Sequence, residues 1–167
     1  MINAANANKI FFALLATGYP IGKIPLAMKQ AALESAGYTS SLGVNSNNWT
    51  GIEKRAWEQG IADDGARFSH FNKISDWARA YRHIVEDIHP EISQATNVND
   101  FGHAVYDSGY TVQEGASDDV DSYIAGMNKY SDSVDAFIQV KKMLFVHIGL
   151  VIFVALGLFI WKLATKK

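Results

Sequence analysis

The stretch "QAALESAGYTS" (Gln30–Ser40) decides how the rest of the chain is read. Four good helix formers lead to a single acid, Glu34, and the helix then breaks through Ser35, Ala36 and Gly37. Aligned peptide dipoles leave partial negative charge at the end of a helix, where cations are the preferred side chains. A carboxylate in that place is either idle or there for a purpose. Upstream, Pro25 suits a first helical turn, so a helix is expected through "LAMKQAALES", ending near Gly37 in a left-handed cap.

Working outward, Ile10, Leu14 and Leu15 fit a short opening helix that "TGYP" stops. Between Trp49 and Phe71 glycines punctuate two short mixed stretches around "ADDGA", a pattern that predicts a β-hairpin. "KISDWARAYRHIVEDIHP" has the clearest helical period. Ile74, Trp77, Ala78, Tyr81, Ile84, Val85 and Ile88 share one face until Pro90 ends it. "VNDFGHAVYDSGY" predicts a further helix with Phe101, Ala104 and Val105 inward and Asn97 or Asn99 as its cap. "DDVDSYIAGMNKY" predicts another that buries Val120, Tyr123, Ile124 and Met127. The fold expected is mainly α, of the α+β lysozyme-like kind, with a small β-hairpin lobe.

The chain has 167 residues, 49% of them hydrophobic, enough for one domain of ordinary size and an appendage. Fifteen basic against 17 acidic residues give a net charge of -2, which argues against the basic surface that a nucleic acid needs. There is no cysteine, so disulfide frameworks, thiolate metal sites and cysteine nucleophiles are excluded. His70, His83, His89, His103 and His147 have no ligand spacing, and "GYPIGKIP" lacks the spacing of a phosphate loop. No metal and no cofactor are expected.

The appendage is "MLFVHIGLVIFVALGLFIW" (Met143–Trp161), without a formally charged side chain and long enough as a helix to cross ~30 Å of hydrocarbon. Lys141 and Lys142 before it and Lys162, Lys166 and Lys167 after it can reach head groups, and Trp161 suits an interfacial belt. The expected organisation is a domain over 1–130, a juxtamembrane stalk over 131–142, a transmembrane helix over 143–161 and a basic tail over 162–167. The lysine imbalance leans toward a cytoplasmic tail with the domain on the far side. The apolar stretch Ile10–Ala16 falls at the lower limit for a secretory signal and is read as part of the first helix of the domain. A single-pass, tail-anchored protein of a virion membrane or a bacterial envelope is expected, with delivery by the tail or by a carrier particle.

Cleaving a glycosidic bond needs a carboxylic acid still protonated near neutral pH. The helix end, the neighbours Ala31, Ala32 and Leu33, and the apolar "AGY" would all raise the pKa of Glu34. "QAALES", then "NNWTGI" (Asn47–Ile52), "ARFSHFNKISDWARAYRHIV" and "DFGHAVYDSGY…DSYIAGM" together resemble glycoside hydrolase family 73, the bacterial and phage endo-β-N-acetylglucosaminidases. The likeness runs over roughly Ile24 to Tyr130, with its blocks in the family's order.

The resemblance implies cleavage of the β-1,4 bond between N-acetylglucosamine and N-acetylmuramic acid in peptidoglycan glycan strands. It implies Glu34 as general acid, Tyr110 as a substrate-positioning or transition-state residue, and Asn48 and Trp49 in the sugar groove. The second carboxylate belongs in the hairpin lobe, where Glu53, Glu58, Asp63 and Asp64 compete; Glu58 is chosen for its interval before "ARFSHF". The family's usual "GWG" after "ES" is "AGY" here. Two alternatives stay open: a lytic transglycosylase with one acid, and an inert structural or peptidoglycan-binding piece of a virion or envelope assembly.

Overall fold

The computed structural model describes residues 1–53, 68–110 and 119–164, with side chains as far as 159. The described residues are mainly helical and include no strand. The expected hairpin lies at 54–67, outside them. The described residues carry one isolated antiparallel bridge, between Glu53 and Phe68.

Helix α1 spans Ala4–Ala16 and starts six residues before the apolar run, because Asn3 accepts the Asn6 backbone N–H at 3.1 Å and satisfies an otherwise orphan donor. Helix α2 spans Ile24–Glu34, with Pro25 in its first turn. A short α3, Ser41–Ser46, is capped by the Ser40 hydroxyl; no apolar period announces it. Helix α4 spans Ile74–His83 and packs on α1, which also packs on α2. Ile10 and Leu14 of α1 and Trp77, Ala78 and Tyr81 of α4 are wholly buried there, with the Trp77 and Tyr81 rings stacked 5.7 Å apart.

The expected α4 does not stay α-helical to Pro90. Over Ile84–Ile88 it widens into a π-turn in which His89 N–H reaches the Ile84 carbonyl at 2.8 Å. Proline has no N–H and crowds the carbonyl four residues back, so the chain unwinds ahead of it. The wider turn rotates Ile88 outward, 37% exposed, against the expectation that it faces the core. A short α5, Pro90–Gln94, packs on α6, Val98–Asp107, whose cap is Asn97 rather than Asn99.

Helix α7 spans Val120–Ala164, without a break between the expected stalk and the apolar run. Within it, Ile124 and Met127 are buried while Val120 and Tyr123 are only partly so. The chain divides into two units, Met1–Val134 and Asp135–Lys167. The described residues of the second are helical, with Val151 and Phe153 among many exposed apolar side chains. The stretch Val120–Leu156 is, among the described residues, the one helix long and apolar enough to cross a membrane.

Candidate functional site

The end of α2 is where the sequence departs from ordinary helix chemistry. The Ser35 hydroxyl donates back to the Ala31 carbonyl (2.5 Å) and accepts the Tyr38 N–H (3.2 Å), while Gly37 N–H reaches the Ala32 carbonyl (2.7 Å). The backbone is then left-handed at three successive residues, Ala36 (φ 50°), Gly37 (φ 72°) and Tyr38 (φ 67°). Only the glycine takes that conformation freely; an alanine or an aromatic residue there costs about 1–2 kcal/mol.

Tyr38 is held in place from several sides. Its hydroxyl donates to the Met28 carbonyl at 2.6 Å, its buried ring meets Trp49 edge-on at 6.4 Å, and its carbonyl accepts the Asn6 side chain at 3.0 Å. Strain persists where the surroundings over-determine it, and it gathers at functional sites. Here it carries the chain through a left-handed turn directly after Glu34, the last residue of α2.

The side chain of Glu34 keeps an exposed edge. Protein crowds its other sides, and desolvation, opposed by a hydrogen bond from Tyr123, raises the pKa from 4.5 to about 7. Exposure and crowding are compatible for a group that is open on one side only, and water at the open edge moderates the cost of ionisation. The Tyr123 hydroxyl donates to Glu34 Oε1 at 3.2 Å. It also accepts from Gln30 Nε2 (3.1 Å), and Gln30 Oε1 accepts from the Tyr81 hydroxyl (2.8 Å). Gln30 is wholly buried one helical turn before Glu34, on the same face of α2. Burial first, and the neighbouring phenols and Glu34 second, hold Tyr81 and Tyr123 well above the ordinary tyrosine range, so both remain neutral donors.

Helix α7 brings Tyr123 this close because Gly126, three residues on and on the same face, has no side chain. A Cβ at Gly126 would stand 2.7 Å from Leu33 Cδ1, next to Glu34 in the chain.

The other expected residues lie around this centre in different ways. Tyr110 is half-buried, and its hydroxyl donates toward the Thr50 side chain (3.2 Å), which also accepts from Trp77 Nε1 (3.2 Å). It is near enough to influence Tyr81 and Tyr123 electrostatically, but its hydroxyl is bonded to Thr50 rather than to Glu34.

Asn48 and Trp49, expected in the groove, are 1% and 2% exposed. The Asn48 amide is used internally: it donates to the carbonyls of Ile52 (2.8 Å) and Ser69 (3.0 Å) and accepts the Ile52 N–H (2.9 Å). It ties both ends of the 54–67 segment together instead of meeting a sugar. Trp49 packs so tightly under α3 that a Cβ at Gly43 would stand 2.5 Å from its ring. Burial of both residues corrects the groove-lining expectation to a structural one. Glu58, Asp63 and Asp64 lie outside the described residues. Glu53 is at the bridge that begins that segment. Among the described residues no group of His, Asp and Glu could hold a metal ion.

Gln30 and Thr50 carry no sequence signal of their own as site residues, and Tyr123 is expected only as a core residue. The four-residue step from Gln30 to Glu34 was a readable signal; the approach of Tyr123, 89 residues away, was not.

The chain matches no family model and no curated protein. It is similar in fold to a chain in the structure of a type VI secretion system effector-immunity complex from Pseudomonas protegens. That likeness has a TM-score of 0.59 at 16% sequence identity, and covers 81% of this chain and 93% of that one.

Proposed function

We propose that this chain is a glycosidase of peptidoglycan, of the endo-β-N-acetylglucosaminidase type, in which Glu34 protonates the oxygen of the departing sugar. The observation that carries the reading is a carboxyl group at a helix end, open on one edge, whose pKa of about 7 keeps much of it protonated near neutrality. General acid catalysis works best when the acid's pKa lies near the working pH. The resemblance to glycoside hydrolase family 73 supports the choice of substrate, with Tyr110 beside the Glu34 cluster as the positioning residue. The second carboxylate is assigned to Glu58 in a small β-hairpin lobe expected between Glu53 and Phe68, which form an antiparallel bridge. Asn48 supports that lobe by bonding on both sides of it.

The apolar part of α7, over 143–161, serves as a single-pass anchor in a virion membrane or bacterial envelope, confining cleavage to wall near the lipid. The fold likeness to a chain of an effector-immunity complex makes a protein partner a second expectation.

The test is digestion of purified wall glycan by the full chain in detergent, beside the Glu34→Gln form. New reducing ends of N-acetylglucosamine, lost in the variant, are expected. Anhydro-muramic ends would assign the chain to the lytic transglycosylases. No cleavage by the native chain would contradict the enzyme reading.

A further inference from the structure

We propose that Gln30 and Tyr123 are positioning residues that designate which oxygen of Glu34 carries the transferable proton; the inference rests on the reading of Glu34 as the acid.

The direction of the hydrogen bonds follows from the amide. Gln30 Oε1 can only accept, and it faces the Tyr81 hydroxyl at 2.8 Å. Gln30 Nε2 can only donate, and it faces the Tyr123 oxygen at 3.1 Å. A phenol has a single proton. With its oxygen accepting from Gln30, Tyr123 directs that proton to Glu34 Oε1, 3.2 Å away. An oxygen engaged as an acceptor in this way is the one that stays unprotonated in the acid form. The carboxyl proton therefore resides on Oε2. Protonation and delivery then use one oxygen in one orientation, which is what a positioned general acid needs.

The arrangement is rigid where it has to be. Gln30 and Tyr81 are wholly buried, and Tyr81 is stacked on Trp77. Among the described residues, the titratable groups facing the cluster are Tyr19 from the turn after α1, Tyr81 from α4, Tyr110 from the segment after α6 and Tyr123 from α7. Burial keeps the Tyr81 and Tyr123 protons well above the acidity of Glu34, so both hold their protons while the carboxyl titrates.

The test follows the Glu34 carboxyl by carbon NMR in the full chain in detergent micelles, with the resonance assigned by its loss in Glu34→Gln. Removing the hydroxyl in Tyr123→Phe takes away a donor to the charged form and leaves an apolar ring. The titration midpoint is expected to rise by roughly one pH unit. Gln30→Met frees the Tyr123 hydroxyl to turn away, and a smaller rise is expected. If the two residues only fill space, their replacement admits water, and the midpoint falls or stays where it was; either result overturns the proposal. No glycan is needed for this measurement, so a wall assay without cleavage would count against the glycosidase reading alone.

Discussion

Leu33 and Gly126 approach so closely that a single methyl group on Gly126 would stand 2.7 Å from Leu33 Cδ1. This contact sets how near α7 comes to the end of α2, and so whether Tyr123 reaches Glu34. Leu33 Cδ1 is the mobile end of a side chain and can yield to one methyl group. Alanine also gains up to about 1 kcal/mol of helix propensity over glycine. Gly126→Ala is therefore expected to be near neutral in stability. Gly126→Val adds bulk that the side chain cannot clear, and a loss of roughly 1–3 kcal/mol is expected in chemical denaturation, with weaker glycan cleavage.

A second prediction concerns the left-handed turn. Ala36 is exposed at φ 50°, a conformation that costs alanine about 1–2 kcal/mol and glycine almost nothing. Against this, glycine loses more chain entropy on folding, by roughly 0.5–1 kcal/mol. Ala36→Gly is expected to raise stability in chemical denaturation slightly, by about 0.5 kcal/mol. A clear loss of stability would mean that the turn is not strained.

Asn48 gives a comparable expected loss. Its side chain satisfies one backbone N–H and two carbonyls inside the protein. Asn48→Ala removes the partner of the buried Ile52 N–H and one donor from each carbonyl, although the Ile52 carbonyl keeps the Ser69 N–H at 2.9 Å, and a fall of roughly 1–3 kcal/mol is expected in thermal or chemical unfolding.

The carboxyl of Glu34 also makes stability depend on pH. Its folded pKa of about 7 exceeds the ordinary 4.5, so between those values the folded chain binds more protons than the unfolded one. Stability from this group is then full below about pH 4.5, falls as pH rises toward 7, and is level above that. Denaturation of the native chain and of Glu34→Gln at pH 5 and pH 8 should show the native chain losing more on going to pH 8. Equal changes would place the carboxyl in open water.

Membrane insertion is tested by flotation with phosphatidylcholine vesicles. The full chain is expected to float with them. Leu150→Lys, at an exposed position in the apolar stretch, places a charge worth about 2.5–3.5 kcal/mol against insertion and should shift the chain toward the soluble fraction.

Much of the helical order was legible from local spacing. The bounds of α2, the left-handed Gly37, the inward face of α4 and the Asn97 cap depend on residues one to four positions apart, where side-chain period and capping chemistry speak directly. The π-turn before Pro90 was less so, since proline announces an ending but not how the preceding turn adjusts. The φ of Tyr38 was hidden as well, because a bulky residue takes that conformation only when distant groups hold it, here Asn6, Met28 and Trp49. Asn48 and Trp49 look like groove residues in a motif and are buried in the fold, because their partners Ser69 and Tyr38 belong to other segments. Glu34 was visible through its own neighbours; the relay from Tyr81 through Gln30 and Tyr123 joins three helices, and no spacing within one of them reports it.

The central claim is that Glu34 donates a proton to a glycosidic oxygen. The most direct measurement is mass analysis of borohydride-reduced products from wall glycan treated with the native chain and with Glu34→Gln at equal folded concentration. The account predicts fragments ending in reduced N-acetylglucosamine from the native chain and at least 100-fold fewer from the variant, the order of effect expected for loss of a general acid. Equal product from both forms, or none from the native chain, would contradict it.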